Sequence, residues 1–354
     1  MKFIKYLTFL TLLFLIGSAL FFGTKDSKFD VSETKIINAP AEVIYNQIKD
    51  FKNWQNWGPW IQIDPNIQIS QSEKSEGKGA TYSWKSKHEA LGNVSIETKK
   101  VIPLKEIYQE ISIETLLGDS KSEVYWRLEE TETKGQTKVV WGIKGDPPFL
   151  EKILMSFSAP NIVARVGILF PKGLSNLDEV VIEKINAFVI NVDGVTEYNG
   201  GFYLYTASAS KIADIGLKMG SLFEEVSDFM TKNNLQITGM PFTIYNDIDT
   251  MNASAIYSTC IPVENKVTTP IGSTILCGYM PQTVALKTTL KGNYTRLETA
   301  YNEANEYMRT NNLQRHPRAK MFEVYRNDPN LTANPADWLT EIYIPIVPLS
   351  NIKN

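Results

Sequence analysis

The sequence predicts an α+β protein: an N-terminal transmembrane helix, an antiparallel sheet that grips a long helix, and a second domain built from two β-α-β-β repeats. Three observations carry this. An uncharged apolar run opens the chain, alternating strands bounded by helical segments follow, and the C-terminal part repeats itself. The 354 residues suggest two or three domains with sizeable cores. A formal net charge of -3 gives no basic footprint, which argues against a nucleic-acid partner. Cys260 and Cys277 form neither a disulfide framework nor a metal-ligand pattern.

Lys2 and Lys5 precede an uncharged run from Tyr6 to Phe22, and Lys25, Asp26 and Lys28 follow it. The run is at the short end for a membrane span. A cleaved signal peptide competes with this reading, because Gly17-Ser18-Ala19 is a passable cleavage site. Leu20, Phe21 and Phe22 continue the apolar run beyond that site and favour an uncleaved anchor over residues 1–27. The lysine pair favours a cytoplasmic N-terminus, with the body of the protein outside at the cell membrane.

In residues 28–190, Ser32 to Asn38 is a first strand, and Ala39-Pro40 opens a helix whose buried face holds Val43, Ile44, Gln47 and Ile48. Trp54, Trp57 and Trp60 follow in a turn-rich segment. Strands are then predicted over 80–87, 93–100, 106–114, 123–129 and 137–144, as an antiparallel meander. A helical stretch from Phe149 to about Val189, interrupted near Pro160 and Pro171, closes the region. Lys35 to Ile44, Trp54-Gln55-Asn56-Trp57-Gly58-Pro59-Trp60 and Gly173-Leu174-Ser175-Asn176-Leu177 resemble the START-like helix-grip family (SRPBCC, or polyketide cyclase). The resemblance implies an apolar cavity between sheet and helix that binds hydrophobic molecules. The residues alone allow a different outcome, in which Trp84, Trp126 and Trp141 fill the core.

Asn191-Val192-Asp193-Gly194 reads as a polar linker, with the second domain over 195–354. There, Phe229-Met230-Thr231-Lys232-Asn233-Asn234-Leu235-Gln236 recurs as Tyr307-Met308-Arg309-Thr310-Asn311-Asn312-Leu313-Gln314. Ile244-Tyr245-Asn246-Asp247 is echoed by Val324-Tyr325-Arg326-Asn327-Asp328, and Ile261-Pro262-Val263 by Ile344-Pro345-Ile346. Apolar stripes at helical spacing, from Ile212 to Met230 and from Tyr294 to Met308, predict two helices packed on one face of a sheet.

The stretch from Trp338 to Pro345 reads as a strand. Its alternation points Thr340, Ile342 and Ile344 one way and Leu339, Glu341 and Tyr343 the other. An acid between Leu and Tyr is costly if buried alone, so neutralising it would be expected to leave folding unharmed. Lys291-Gly292-Asn293-Tyr294, Tyr325-Arg326-Asn327-Asp328-Pro329 and Thr340 to Pro345 resemble the GyrI-like effector-binding domain. The resemblance implies that Glu341 reaches into an aromatic cleft that takes hydrophobic, cationic small molecules. Tyr343 shares its strand face, and Tyr325, Tyr245 and Trp338 are candidates by nearness to these motifs. The first repeat has Ser258 at the position of Glu341, which makes the site asymmetric.

No helix-turn-helix accompanies the second domain. Gly77-Lys78-Gly79 lacks the rest of a phosphate-binding fingerprint, and there is no Gly-x-Ser-x-Gly elbow. His88 and His316 are far apart in sequence, and nothing marks a triad, a metal site or a cofactor. A binding protein is therefore favoured over an enzyme. The alternatives are a hydrolase of lipophilic xenobiotics, which the resemblance admits, and an envelope protein with filled pockets.

Overall fold

The computed structural model describes residues 2–24, 28–115, 118–146 and 162–347. The chain divides into two compact units, Met1–Lys184 and Ile185–Asn354.

The first unit begins with α1 (Lys2–Thr24). Ile4, Leu7, Phe9, Leu10, Leu13 and Phe14 are among its exposed apolar residues. Among the described residues, however, no helix is long and apolar enough to cross a membrane. The structure thus does not support the expected transmembrane helix.

A seven-stranded antiparallel sheet follows. Its strands are β1 (Phe29–Ile37), β2 (Gln68–Gln71), β3 (Thr81–Lys85), β4 (Val94–Ile102), β5 (Glu106–Thr115), β6 (Gly118–Glu130) and β7 (Thr137–Gly145). The order is β1-β7-β6-β5-β4-β3-β2, the predicted meander with β1 folded back onto β7. Helices α2 (Ala41–Lys49), α3 (Phe51–Trp57) and α4 (Pro59–Ile63) lie between β1 and β2 in sequence. The predicted helical region from Phe149 to Asn161 lies outside the described residues, and α5 (Ile162–Asn186) closes the unit. Contrary to expectation, α5 runs through Pro171. Proline removes one backbone hydrogen bond there, while burial of Val166, Phe170, Leu174, Leu177 and Val181 holds the turns on both sides.

The space between sheet and helices is filled with aromatic rings. Trp141 stacks on Trp126 at 4.4 Å between centroids and on Phe170 at 4.0 Å. Trp60 stacks on Trp84 at 4.9 Å, and Trp54 lies within 6.4 Å of Phe51, Trp57, Trp60, Tyr82 and Trp126. The Gly-Leu-x-x-Leu segment of α5 fits this packing. A Cβ on Gly173 would come 2.5 Å from the Trp141 ring, and Asn176 donates to the Trp57 carbonyl at 3.0 Å. Among the described residues the tryptophans therefore occupy the interior where an open cavity was expected. Among the described residues, the buried Trp84 Nε1 and Trp141 Nε1 have no acceptor.

The second unit holds an eight-stranded sheet of β8 (Val189–Tyr198), β9 (Gly201–Lys211), β10 (Phe242–Asp249), β11 (Ser254–Val263), β12 (Leu276–Met280), β13 (Thr283–Lys291), β14 (Phe322–Tyr325) and β15 (Leu339–Pro345). Helices α6 (Ile215–Lys232) and α7 (Leu297–Thr310) pack on it. The order β12-β9-β11-β10-β14-β15-β13-β8 is symmetric about the antiparallel β10–β14 pair. The copies are β9-α6-β10-β11 and β13-α7-β14-β15, as the repeat predicts, each with one added edge strand.

The repeated Asn-Asn-Leu-Gln ends each helix by the same device. Asn233 and Asn311 return their side-chain amides to the carbonyls of Phe229 and Tyr307. Asn234 and Asn312 adopt φ of 52° and 53°, which asparagine tolerates better than most residues. Leu235 and Leu313 then donate backbone N–H to Met230 and Met308.

The stretch 191–194 is not a linker; it lies inside β8, paired with β13. Its polar residues occupy the wet face of an edge strand while Ile190 and Val192 pack against the core. A register shift near Lys287/Thr288 accommodates Asp193, and Gly194 takes a φ of 99°.

Candidate functional site

Strand alternation gives the second sheet a helix-covered face and a concave face. Ile342 and Ile344 of β15 pack with Ala300, Ala304 and Met308 of α7. Tyr343 instead joins Phe242, Ile244, Cys260, Met280, Phe322 and Val324 on the concave face, with Tyr198, Tyr203 and Tyr205 against them. Tyr343 stacks on Phe322 at 4.9 Å, and Tyr198 meets both rings edge-on at 4.8 and 5.0 Å. Tyr203 stands against Phe242 at 5.2 Å. Tyr198 and Tyr203 flank a tight link. A Cβ on Gly200 would lie 2.1 Å from the Met280 carbonyl oxygen.

Glu341 lies on the same face as Tyr343 and is 7% exposed. It is not alone, as the strand pattern suggested. Lys287 Nζ lies 2.8 Å from Oε1, Arg326 Nη2 2.5 Å from Oε2, and the Tyr343 hydroxyl donates to Oε2 at 3.0 Å. Register puts Lys287 opposite Tyr343, and Arg326 follows the last residue of β14. Burial pushes the Glu341 carboxyl up, but the bonds from Arg326, Lys287 and Tyr343 outweigh it and hold the group below the ordinary carboxylate value. Lys287 also approaches Asp193 at 3.8 Å.

This pairing reverses the expectation that neutralising Glu341 leaves folding unharmed. Glu341→Gln would leave two cations facing one neutral amide. It is expected to destabilise the domain by about 1–3 kcal/mol, read from urea denaturation at pH 7. The depressed folded pKa means that the stabilisation is complete above the unfolded value and is lost as pH falls through the folded one. Wild type and variant should therefore converge in acid, once the pH falls below the depressed folded value. A variant as stable as wild type at pH 7 would contradict the pairing.

Two further candidates, Tyr245 and Tyr325, do not join Glu341. They turn to the helix side, where Glu323 is fully buried. Its Oε1 accepts from the hydroxyls of Tyr301 at 2.7 Å and Tyr245 at 3.1 Å, and its Oε2 from Tyr325 at 2.9 Å. Burial raises the Glu323 carboxyl above its ordinary value despite these three donors. Trp338 packs on Tyr294 at 4.7 Å, and Tyr294 in turn on Tyr325. Of the five residues nominated from sequence, the fold therefore brings together only Glu341 and Tyr343 on the concave face. Sequence reasoning missed Lys287, Arg326 and Glu323. The alternation Phe322-Glu323-Val324-Tyr325 carries the same signal as Glu341, an acid sharing a strand face with Tyr.

The duplication repeats this local geometry with different chemistry. Asn246 and Ser258, at the sequence positions of Arg326 and Glu341, form a neutral pair, the amide donating to Ser258 Oγ at 2.8 Å. His316 accepts from the backbone of Arg318 and Ala319, which makes it a turn residue. Both cysteines are free thiols. Among the described residues no group of His, Cys, Asp and Glu is placed to hold a metal.

Comparison with known proteins agrees with this architecture. Residues 28–181 match the family of polyketide cyclase/dehydrase and lipid transport proteins, and residues 207–347 match the GyrI-like small molecule binding domain. The chain thus carries an SRPBCC-like domain followed by a GyrI-like domain. No curated protein matches. Similar solved structures include the EcmrR C-terminal domain, at 18% identity and TM-score 0.38, covering 45% of this chain and 98% of that one. SAV2435 bound to tetraphenylphosphonium is 10% identical at TM-score 0.32, covering 45% and 95%. The Aha1 dimer from Colwellia psychrerythraea is 18% identical at TM-score 0.32, covering 43% and 96%.

Proposed function

We propose that this chain is a membrane-anchored binding protein whose second domain takes hydrophobic small molecules carrying a cationic group. The observation that carries this reading is a buried carboxylate, Glu341, set beside the aromatic rings of the concave face. Aromatic surface with one placed charge is the usual composition of sites for amphipathic ligands, and ring faces add attraction for a cation. Small-molecule binding is the general property of the matched GyrI-like family. Anchoring is motivated by the uncharged run from Tyr6 to Phe22 in the sequence. Lys2 and Lys5 favour placing both domains outside the cytoplasm.

Two tetraphenyl ions of matched shape and opposite charge test the ligand class. With the full chain in a non-ionic detergent and micelle blanks subtracted, tetraphenylphosphonium is expected to bind at least about tenfold more tightly than tetraphenylborate, a difference of ~1.4 kcal/mol. Glu341→Gln should erase most of that preference. Equal affinities, or a preference for the borate through Lys287 and Arg326, would overturn the cationic assignment.

A further inference from the structure

We infer that Arg326 is a resident occupant of the cation seat on Glu341, which an incoming cationic ligand must displace, so that Arg326 sets how selective the site is. This rests on the reading of Glu341 as the ligand's charge partner.

Both carboxylate oxygens of Glu341 are already engaged, Oε1 by Lys287 and Oε2 by Arg326 and Tyr343. With Glu341 only 7% exposed beneath these partners, a bulky ligand cation gains close approach to the carboxylate by moving one of them aside. Lys287 is the poorer candidate. It lies within β13, in the interior of the sheet, its side chain is 25% exposed, and Asp193 provides a second acidic neighbour at 3.8 Å. Tyr343 is locked by stacking on Phe322. Arg326 stands just past the end of β14, and its side chain is 39% exposed. The exposed guanidinium regains hydration when it leaves, which lowers the cost of breaking its side of the pair. It is the partner that can swing out without disturbing the sheet.

The first repeat shows that the contact belongs to the fold. There the residue after the tyrosine, Asn246, covers the strand residue Ser258 in the same way, with no charge on either side. The second copy keeps the contact and charges both members. A bare acid at Glu341 would attract any cation. With Arg326 in place, a small ammonium ion gains nothing over the guanidinium it replaces. A cation with a large apolar body gains contact with the rings of Tyr343 and Tyr198 as well, and can win the exchange. The pair thereby favours lipophilic over simple cations.

The test compares wild type, Arg326→Met, Arg326→Asn and Arg326→Lys in the full chain, titrated with tetraphenylphosphonium and with tetramethylammonium. Methionine keeps an apolar stem, asparagine copies the first repeat, and lysine keeps the charge. The neutral variants are expected to bind tetraphenylphosphonium about tenfold or more tightly than wild type and to show measurable tetramethylammonium binding. Arg326→Lys should stay near wild type. Should one neutral variant not fold, the other carries the comparison. Phosphonium binding that is equal or weaker in the neutral variants overturns the displacement, leaving the ligand-class reading intact. No phosphonium binding to wild type or to any variant removes both.

Discussion

Replacing Glu323 with alanine is expected to lower the stability of the second domain by about 3–5 kcal/mol, because the change orphans three buried tyrosine hydroxyls and leaves a cavity. Glu323 accepts hydroxyls from Tyr245 of one repeat and from Tyr301 and Tyr325 of the other. Urea denaturation of variant and wild type measures the loss, and a cost below 1 kcal/mol would contradict the network. Glu323→Gln separates shape from charge. The Glu323 carboxyl is held above its ordinary value of 4.5, so the folded state keeps its proton over a range where the unfolded chain has released it. Its contribution therefore declines as pH rises from the unfolded value towards the folded one. Glu323→Gln should lack that decline. This dependence is opposite in sign to that of Glu341, although the two acids lie on neighbouring strands.

Trp54→Ala is expected to cost the first domain about 3–5 kcal/mol, the range for removing a large buried aromatic. Trp54 is fully buried, five aromatic rings surround it, and its indole N–H donates to the Ile48 carbonyl at 2.8 Å. Trp54→Phe should recover part of the loss. The chain divides into two units at Lys184/Ile185, so a denaturation transition assigned to residues 185–354 should not move. Loss of less than 1 kcal/mol would mean that the interior has room to collapse around the missing ring.

The fold was legible wherever local chemistry decides it. Alternation located strands β3 to β7, and the repeated Asn-Asn-Leu-Gln marked both helix ends, because asparagine is suited to the left-handed turn there. The edge strand β8 was not legible. Asn191, Asp193 and Gly194 have turn chemistry, and only pairing with β13 makes them a strand. The candidate site was half legible for the same reason. Period-two alternation placed Glu341 and Tyr343 on one face. It could not reveal that Lys287 sits across the strand pair or that Arg326 folds over the acid, since both depend on register between distant segments. Tyr245 and Tyr325 were assigned to a shared site by their nearness to motifs. Alternation, applied to Glu323, would have sent them to the other side of the sheet.

The symmetric strand order has a mechanical consequence. The two repeats meet through three registered residue pairs, from Phe242/Val324 to Ile244/Phe322, and the backbone N–H groups of Tyr245 and Tyr325 extend the seam by donating to the carbonyls of Met321 and Pro241. Within a repeat, β9 and β11 share ten such pairs, and β13 and β15 share seven. Four pairs join β14 to β15, so pairing is sparsest on either side of the short strand β14, the seam between the repeats included. The sheet there acts as a book spine, with one leaf carrying Asn246 and Ser258 and the other Arg326 and Glu341. Any opening along this spine would leave each leaf unbent, and the tyrosines gathered on Glu323 from both leaves form the clasp that would limit it.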